Sequence, residues 1–440
     1  MNPFQTRREF LTTTLKGAGL LAASAFVPSF LARTALAAGA DKDATILVVL
    51  QLSGGNDGLN TVVPFTDDLY FKARPTIGLK SRSLLKINDQ IALNAALRPL
   101  KSEFDKGRFA IIQNTGYPNP NRSHFRSMEI WHTGTDDPMP TSGWLGRYFD
   151  AQCSGSDPHN KPGEIGVSLG KVMPLSFRNR SNVALSLDDP ETFQWNASGE
   201  TIALAKAQEA IFAKLNRPGE KHGVPMTPLA VESSRMGNLG GINGREPETV
   251  NFLRHTAMNA VVAGDRIRTL LGKEKSRAEY PYSRLGQELS MISKLIAGDF
   301  PTRVYYASQG GFDTHAGQVD SHARLLGDMA GSLAAFMADL RAHKTSQRVL
   351  VLAFSEFGRR VAENGSAGTD HGAAAPMFLL GDAVKGGLHG GPPDLKNLID
   401  GDLRHQTDFR QVYASVLEKW LKTNSTSVLQ GDFAPIDVLT

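Results

Sequence analysis

Four short stretches of the chain carry an unusual load of acids and histidines between them. They are Gly54-Gly55-Asn56-Asp57, Asn121-Arg122-Ser123-His124, Gly311-Phe312-Asp313-Thr314-His315 and Ser355-Glu356-Phe357-Gly358-Arg359. A fifth, Gly368-Thr369-Asp370-His371-Gly372, follows soon after the last. Carboxylates and imidazoles converging on one point suit a divalent cation, zinc where nitrogen contributes and a harder, calcium-like ion where oxygen dominates. Each residue also has a plainer reading. Asp57 between glycines shapes a turn by bonding its own backbone. Asp313 and His315, two apart in a loop, are solvated, and Glu356 pairs with Arg359 or Arg360 at the surface. What favours the joint reading is a shared position, because each stretch follows an apolar run.

Those runs are the elements that must place the residues. Residues 44–52 (ATILVVLQL) are continuously apolar and rich in Ile and Val, as in a parallel strand buried on both faces, and end in a glycine turn. Residues 109–113, 303–308, 348–354 and 377–380 read as further strands. Helical patterns cover 91–107, 123–132, 248–271, 282–297, 321–343 and 409–421. Strand, helix and strand across 303–354 form a βαβ unit, and such units build a parallel sheet with helices on both faces. Ligands of such sheets sit at the carboxyl ends of the strands, where the five stretches fall. Residues 155–245 are less regular and read as an insertion, with a hinge at 239–248. The expected fold is therefore a doubly wound, mostly parallel α/β sheet, one domain over 38–440.

The amino-terminal 37 residues read as a signal. Arg7-Arg8-Glu9-Phe10-Leu11 is the address of the twin-arginine export route, a weakly apolar run 17–32 follows, and Ala35-Leu36-Ala37 is a small-x-small cleavage site. The apolar run falls short of the roughly 20 residues a stable membrane span needs. Cleavage after Ala37 removes Arg7, Arg8, Lys16 and Arg33 against Glu9, which takes the formal charge from +4 to +1. The basicity thus sits in the signal, and nothing points to nucleic acid as a partner. With Cys153 the only cysteine, no internal disulfide can form, which suits folding in the cytoplasm before export through the twin-arginine machinery. The expected location is periplasmic or extracellular.

The runs LVVLQLSGGNDGLNTVVP (47–64), NRSHFRSMEIWHTG (121–134), GGFDTH (310–315) and SEFGRRVAENGSAGTDHG (355–372) resemble the DUF1501 proteins, which are twin-arginine-exported. More distantly the layout is similar to the alkaline phosphatase–sulfatase–phosphomutase superfamily. That resemblance implies an alkaline-phosphatase-like fold and one or two divalent metal ions. The metal ligands it implies are Asp57, Asp313, His315, Glu356 and His371. It implies Ser123 as the nucleophile opening a helix, with Arg122 or Arg126 on the oxygens of a phosphate or sulfate ester of a small molecule or polysaccharide. His124 is left out of the ligand set, on the expectation that the side chain after the nucleophile points away. Phe357 stands where the superfamily has a metal-binding histidine. That departure favours the competing class, a binding or structural protein of the cell envelope whose catalysis has decayed.

Overall fold

The computed structural model describes residues 44–153, 165–170, 172–179, 184–187, 264 and 266–440. The signal, and most of the insertion expected near 155–245 with its hinge, lie outside the described residues.

Strands β1 (Ile46–Leu52), β2 (Phe109–Gly116), β3 (Ile165–Leu169), β4 (Ala184–Leu187) and β5 (Thr302–Gln309) are followed by β6 (Val349–Phe354), β7 (Ala375–Leu380), β8 (Gly387–His389) and β9 (Thr407–Asp408). They form one sheet in the order β8-β2-β7-β6-β1-β5-β3-β4, with β9 paired to β2. Every residue of β1 is buried, as its unbroken apolar sequence requires, and β1 pairs in parallel with both β5 and β6. Strand β7 runs antiparallel to both its neighbours, β6 and β2. Among the described strands of this sheet it is the one reversed member, and the reversal matters. The loop entering β7 lies at the edge where β1, β2, β5 and β6 end.

Side chains alternate along each strand. Leu47, Val49, Ile112, Val304, Leu350 and Leu352 point to one face, into a core completed by Trp131, Trp144, Tyr148, Phe409 and Tyr413. These aromatic residues come from α1 (His124–Thr133), α2 (Trp144–Cys153) and α5 (Phe409–Ser415). The alternate residues Val48, Leu50, Ile111 and Val351 are buried as well. Helix α3 (Arg284–Ala297) lies against β5, and α4 (Gln318–Ala342) against α3. Leu326, Met329, Leu333, Phe336, Met337 and Leu340 form the apolar stripe of α4, each buried. Burial of such a side chain contributes about 1.5–3 kcal/mol, so this stripe anchors the helix between Leu326 and Leu340. The expected mixed α/β architecture with a large, mostly parallel sheet flanked by helices is the one observed.

Residues 91–107 depart from expectation. Instead of one helix they form a strand, Ala92–Asn94, a 3₁₀ segment, Ala95–Leu100, and a short helix, Lys101–Asp105. Ala92 and Leu93 pair with Val63 and Val62 in a small separate sheet, Asn94 caps the turn by accepting from Ala96 N, and Pro99 interrupts the helical ladder.

Candidate metal centre

Tight backbone contacts bring the loops after β1, β5 and β6 together. Gly54 and Gly55 have φ of +120° and +82°, a region side chains rarely adopt. A Cβ at Gly54 would sit 2.3 Å from Asp313 N, and one at Gly55 2.5 Å from the Phe357 ring. Gly54 N donates to Glu356 Oε1 at 2.9 Å, and Asn56 N donates to Ser355 Oγ at 2.9 Å. From the other side, β2 leads through Asn121, whose Oδ1 accepts from Ser123 N, into α1, which opens on His124.

Three imidazoles and a carboxylate meet there. Asp313 Oδ1 lies 3.0 Å from His371 Nε2, 3.0 Å from His315 Nε2 and 3.5 Å from His124 Nε2. His371 Nε2 is 3.1 Å from His124 Nε2 and 3.0 Å from His315 Nε2. The opposite nitrogen of each ring faces an acceptor. His124 Nδ1 donates to Glu356 Oε1 at 2.8 Å, His315 Nδ1 to Asp370 Oδ1 at 3.1 Å and His371 Nδ1 to the Arg122 carbonyl at 2.8 Å. A neutral imidazole protonated on Nδ1 has a bare Nε2. Three bare nitrogens and a carboxylate oxygen therefore face one another; the Arg359 guanidinium meets Asp313 and lies 3.5 Å from His315 Nε2, and a cation among the nitrogens would satisfy the rest.

The donor set fits such a cation. A tetrahedral ion with bonds of about 2.0–2.1 Å holds its ligand atoms about 3.4 Å apart. His124, Asp313 and His371 offer one ligand atom each at separations of 3.0–3.5 Å. Histidines anchored through Nδ1 by carboxylates or carbonyls are the usual outer shell of zinc sites. Burial pushes the Asp313 carboxyl up, but the hydrogen bond and charge of Arg359 outweigh it and hold it well below the usual carboxylate range.

The residues expected from the sequence divide among different places. Asp313, His315 and His371 come together. His124, which was left out, joins them: its Cα–Cβ bond tilts toward the helix amino terminus, as in any α-helix, so at the first helical position the ring reaches over the loops. Glu356, 1% exposed, stands behind His124 as its hydrogen-bond acceptor. Asp57 does not reach the cluster. Its carboxylate accepts from Arg74 at 2.7 Å, from Gln318 and from Leu59 N, and it caps a 3₁₀ turn. Burial raises its pKa, but the charge and hydrogen bond of Arg74 outweigh that and hold it below the usual range.

Ser123 is the N-cap of α1 by position, yet its hydroxyl makes no capping bond and is exposed. The two arginines expected to hold an ester are already occupied. Arg122 donates to Asp402 Oδ2 at 2.8 Å through Nε, and Arg126 donates to Glu129 Oε2 and to the carbonyls of Asp136 and Asp137. Arg359, buried, donates to Asp313 and to the carbonyls of Gly54, Gly55, Phe312 and Thr369, tying three loops together. The Phe357 ring packs 4.8 Å from both the His124 and His371 rings and serves as an apolar wall.

A cleft of about 640 Å³ opens beside the centre, lined by Ser123, His124, Phe125, Gln51, His132 and Glu356 among others. At its edge the first backbone N–H groups of α1, which no carbonyl of the helix can reach, carry the positive end of the helix dipole.

With that geometry in place, the chain can be set beside known proteins. Residues 271–420 match the family model described as "Protein of unknown function (DUF1501)". The DUF1501 resemblance holds. The DUF1501 match contains Asp313, His315, Glu356 and His371, and His124 falls outside it. No curated protein matches in sequence. Among solved structures, Ps i-CgsB is similar at 10% identity and a TM-score of 0.36, covering 89% of this chain and 75% of its own. A 2-O GAG sulfatase gives 11% identity and a TM-score of 0.26 over 78% of this chain and 65% of its own. The alkaline phosphatase of the Antarctic bacterium TAB5 gives 11% and 0.29 over 79% of this chain and 95% of its own.

Proposed function

We propose that this protein is an exported metal-dependent hydrolase of a phosphate or sulfate ester, with one divalent cation held by His124, Asp313 and His371 and His315 beside it. The observation that carries the reading is the convergence of bare imidazole nitrogens on Asp313, each ring anchored from behind. Zinc is the ion that this nitrogen-rich set suits best. When bound, the cation supplies Lewis-acid polarisation of an ester oxygen. The chain's own residues supply the rest. The amino terminus of α1 offers unpaired N–H groups to a tetrahedral anion. Ser123, with its hydroxyl uncommitted, is the nucleophile: its Oγ bonds to phosphorus or sulfur, the ester oxygen leaves and takes up the proton, and water then releases the anion. Arg126, tied to Glu129, lines the cleft, and Arg122 is tied to Asp402; neither grips the substrate.

A second reading has specific support. Phe357 fills the place of a further ligand and both arginines are occupied, which suits a protein that binds a metal and an anion without turning anything over. Metal analysis with ester assays separates the two. The hydrolase binds about one zinc and cleaves a 4-nitrophenyl phosphate or sulfate, His371→Ala loses both properties, and Ser123→Ala loses only turnover. Zinc without any cleavage across an ester panel leaves the binding protein, and no zinc after dialysis against the ion ends both readings.

The location proposed is outside the cytoplasmic membrane. Among the described residues no helix is long and apolar enough to cross a bilayer. Replacing Arg7 and Arg8 together by Lys should hold the precursor inside the cell, because paired guanidinium groups are what the twin-arginine receptor reads. Normal export of that double variant would refute the route.

A further inference from the structure

The cleft beside the metal centre continues well past it. His124 and His132 both line it, and they lie eight residues apart on α1, so it follows the helix for about 12 Å. That is longer than an ester group requires. At the far end the floor is built from His132, 8% exposed, and Gln51, 9% exposed. His132 Nε2 lies 3.0 Å from both Gln51 Oε1 and the Tyr306 hydroxyl, and that hydroxyl donates to Gln51 Oε1. With Gln51 Oε1 accepting, His132 carries its proton on Nε2. Its Nδ1 is then a bare acceptor, and the Gln51 amide nitrogen is a donor, neither with a partner among the described residues. Turning the Gln51 amide over reverses both roles and still leaves one donor and one acceptor. Two nearly buried polar side chains in a cleft wall, each one bond short, are what a ligand's polar group completes.

The charge of the cleft narrows the ligand. Arg126 is spent on Glu129 and on two carbonyls, and Glu356 on His124 and Gly54 N. Burial lowers the His132 pKa to about 4, so the imidazole is neutral at physiological pH. The far end therefore has neither a free cation for an anion nor a free carboxylate for a base. Its remaining wall is apolar, with Leu175 and Met128, while Phe125, next to His124, stands 91% exposed at the metal end of the cleft. An apolar wall beside a donor–acceptor pair suits a ring that is apolar on its face and hydroxylated at its edge.

We infer that the far end of the cleft binds an uncharged, hydroxyl-bearing ring of the substrate, a sugar, with His132 and Gln51 recognising one hydroxyl and Leu175 and Met128 against the ring face. This deepens the ester-hydrolase reading and rests on it, since the metal end is where the ester would lie. It makes the substrate a sugar ester whose neighbouring ring carries no charge.

The test uses the full chain as purified and neutral oligosaccharides of glucose and galactose, bearing no phosphate or sulfate, detected by saturation-transfer NMR. Saturable binding of at least one probe is expected, weakened about tenfold in His132→Phe by the loss of a buried hydrogen bond. Binding should be unchanged in His371→Ala, which disables the metal site. Should His132→Phe fail to fold, Gln51→Leu reads the same pair from the other partner. Absence of saturable binding by any probe, or binding that neither floor variant weakens, overturns the inference. Failure of the hydrolase reading looks different: it shows in zinc content and ester cleavage, and neither enters this measurement.

Discussion

His124 reaches the cluster because of a carboxylate one layer behind it. Glu356 is buried, accepts from Gly54 N and from His124 Nδ1, and so fixes which nitrogen of that ring is bare. Replacing it with Leu leaves Nδ1 without its acceptor and lets the ring turn. Outer-shell changes of this kind typically weaken metal binding 10–100-fold. Glu356→Leu should therefore lower zinc affinity by about that factor in a competition titration with a chelator, while Glu356→Gln, which keeps an acceptor oxygen, should lose less. Equal affinity in Glu356→Leu and the parent would remove Glu356 from the site. At this scale the sequence marks residue types and not roles. Acid and histidine types after apolar strands singled out Asp313, His315 and His371, but nothing in composition distinguishes an acid that binds a metal from one that orients a ligand. Asp57 and Glu356 were indistinguishable from Asp313 until their partners, Arg74 and His124, were in place.

One side chain on α4 ties the loops to each other. Gln318, the first residue of α4 and fully buried, accepts through Oε1 from Thr314 Oγ1 at 3.0 Å and from Thr369 Oγ1 at 2.5 Å, and its amide nitrogen donates to Asp57. Thr314 lies between Asp313 and His315, and Thr369 is two residues before His371. The amide therefore sets the spacing of both ligand loops against the buried Asp57–Arg74 pair. Gln318→Leu strands two buried hydroxyls, at about 1–3 kcal/mol for each group left unsatisfied, and takes one donor from Asp57, which keeps Arg74. It should lower the denaturation midpoint and weaken zinc binding together, whereas an exposed change on the same helix should do neither. A stable Gln318→Leu protein with unaltered zinc affinity would show that the loops hold without it. Gly55→Ala makes a related case through packing, since its Cβ would drive into the Phe357 ring that packs against both His124 and His371. That variant is expected to lose zinc affinity as well as stability. The strands themselves were legible because burial on both faces demands unbroken apolar runs, as in β1. The short elements at 92–105 were not, since pairing with Val62 and Val63 decided them and that contact is distant in sequence.

Among the described residues, two buried histidines make stability depend on pH, and His405, partly buried and lowered by burial, acts in the same sense. His132 and His322 are both lowered to about 4, chiefly by burial; His322 also lies near Arg74 and Arg359, while Asp57 partly offsets them. His322 Nε2 donates to Asn56 Oδ1 at 2.9 Å, so protonating its other nitrogen would add a charge in the interior. In the unfolded chain both rings titrate near 6.5. Between about pH 6.5 and 4 the unfolded state therefore binds more protons than the folded state, and stability must fall as pH falls. The contribution is fully present above the unfolded value and is lost on the way down to the folded one. Each histidine gives a slope of about 1.4 kcal/mol per pH unit inside that window. Asp57 does not add to it there, because Arg74 holds its carboxyl low, and Asp402, raised by burial, acts in the opposite sense. Urea denaturation of zinc-free protein from pH 7 to 4.5 should show the decline. His322→Asn should flatten it by roughly one histidine's share, even if the variant is less stable at pH 7. An unchanged slope in that variant would mean that the ring is already protonated in the folded protein, and then the hydrogen bond to Asn56, rather than desolvation, governs its charge.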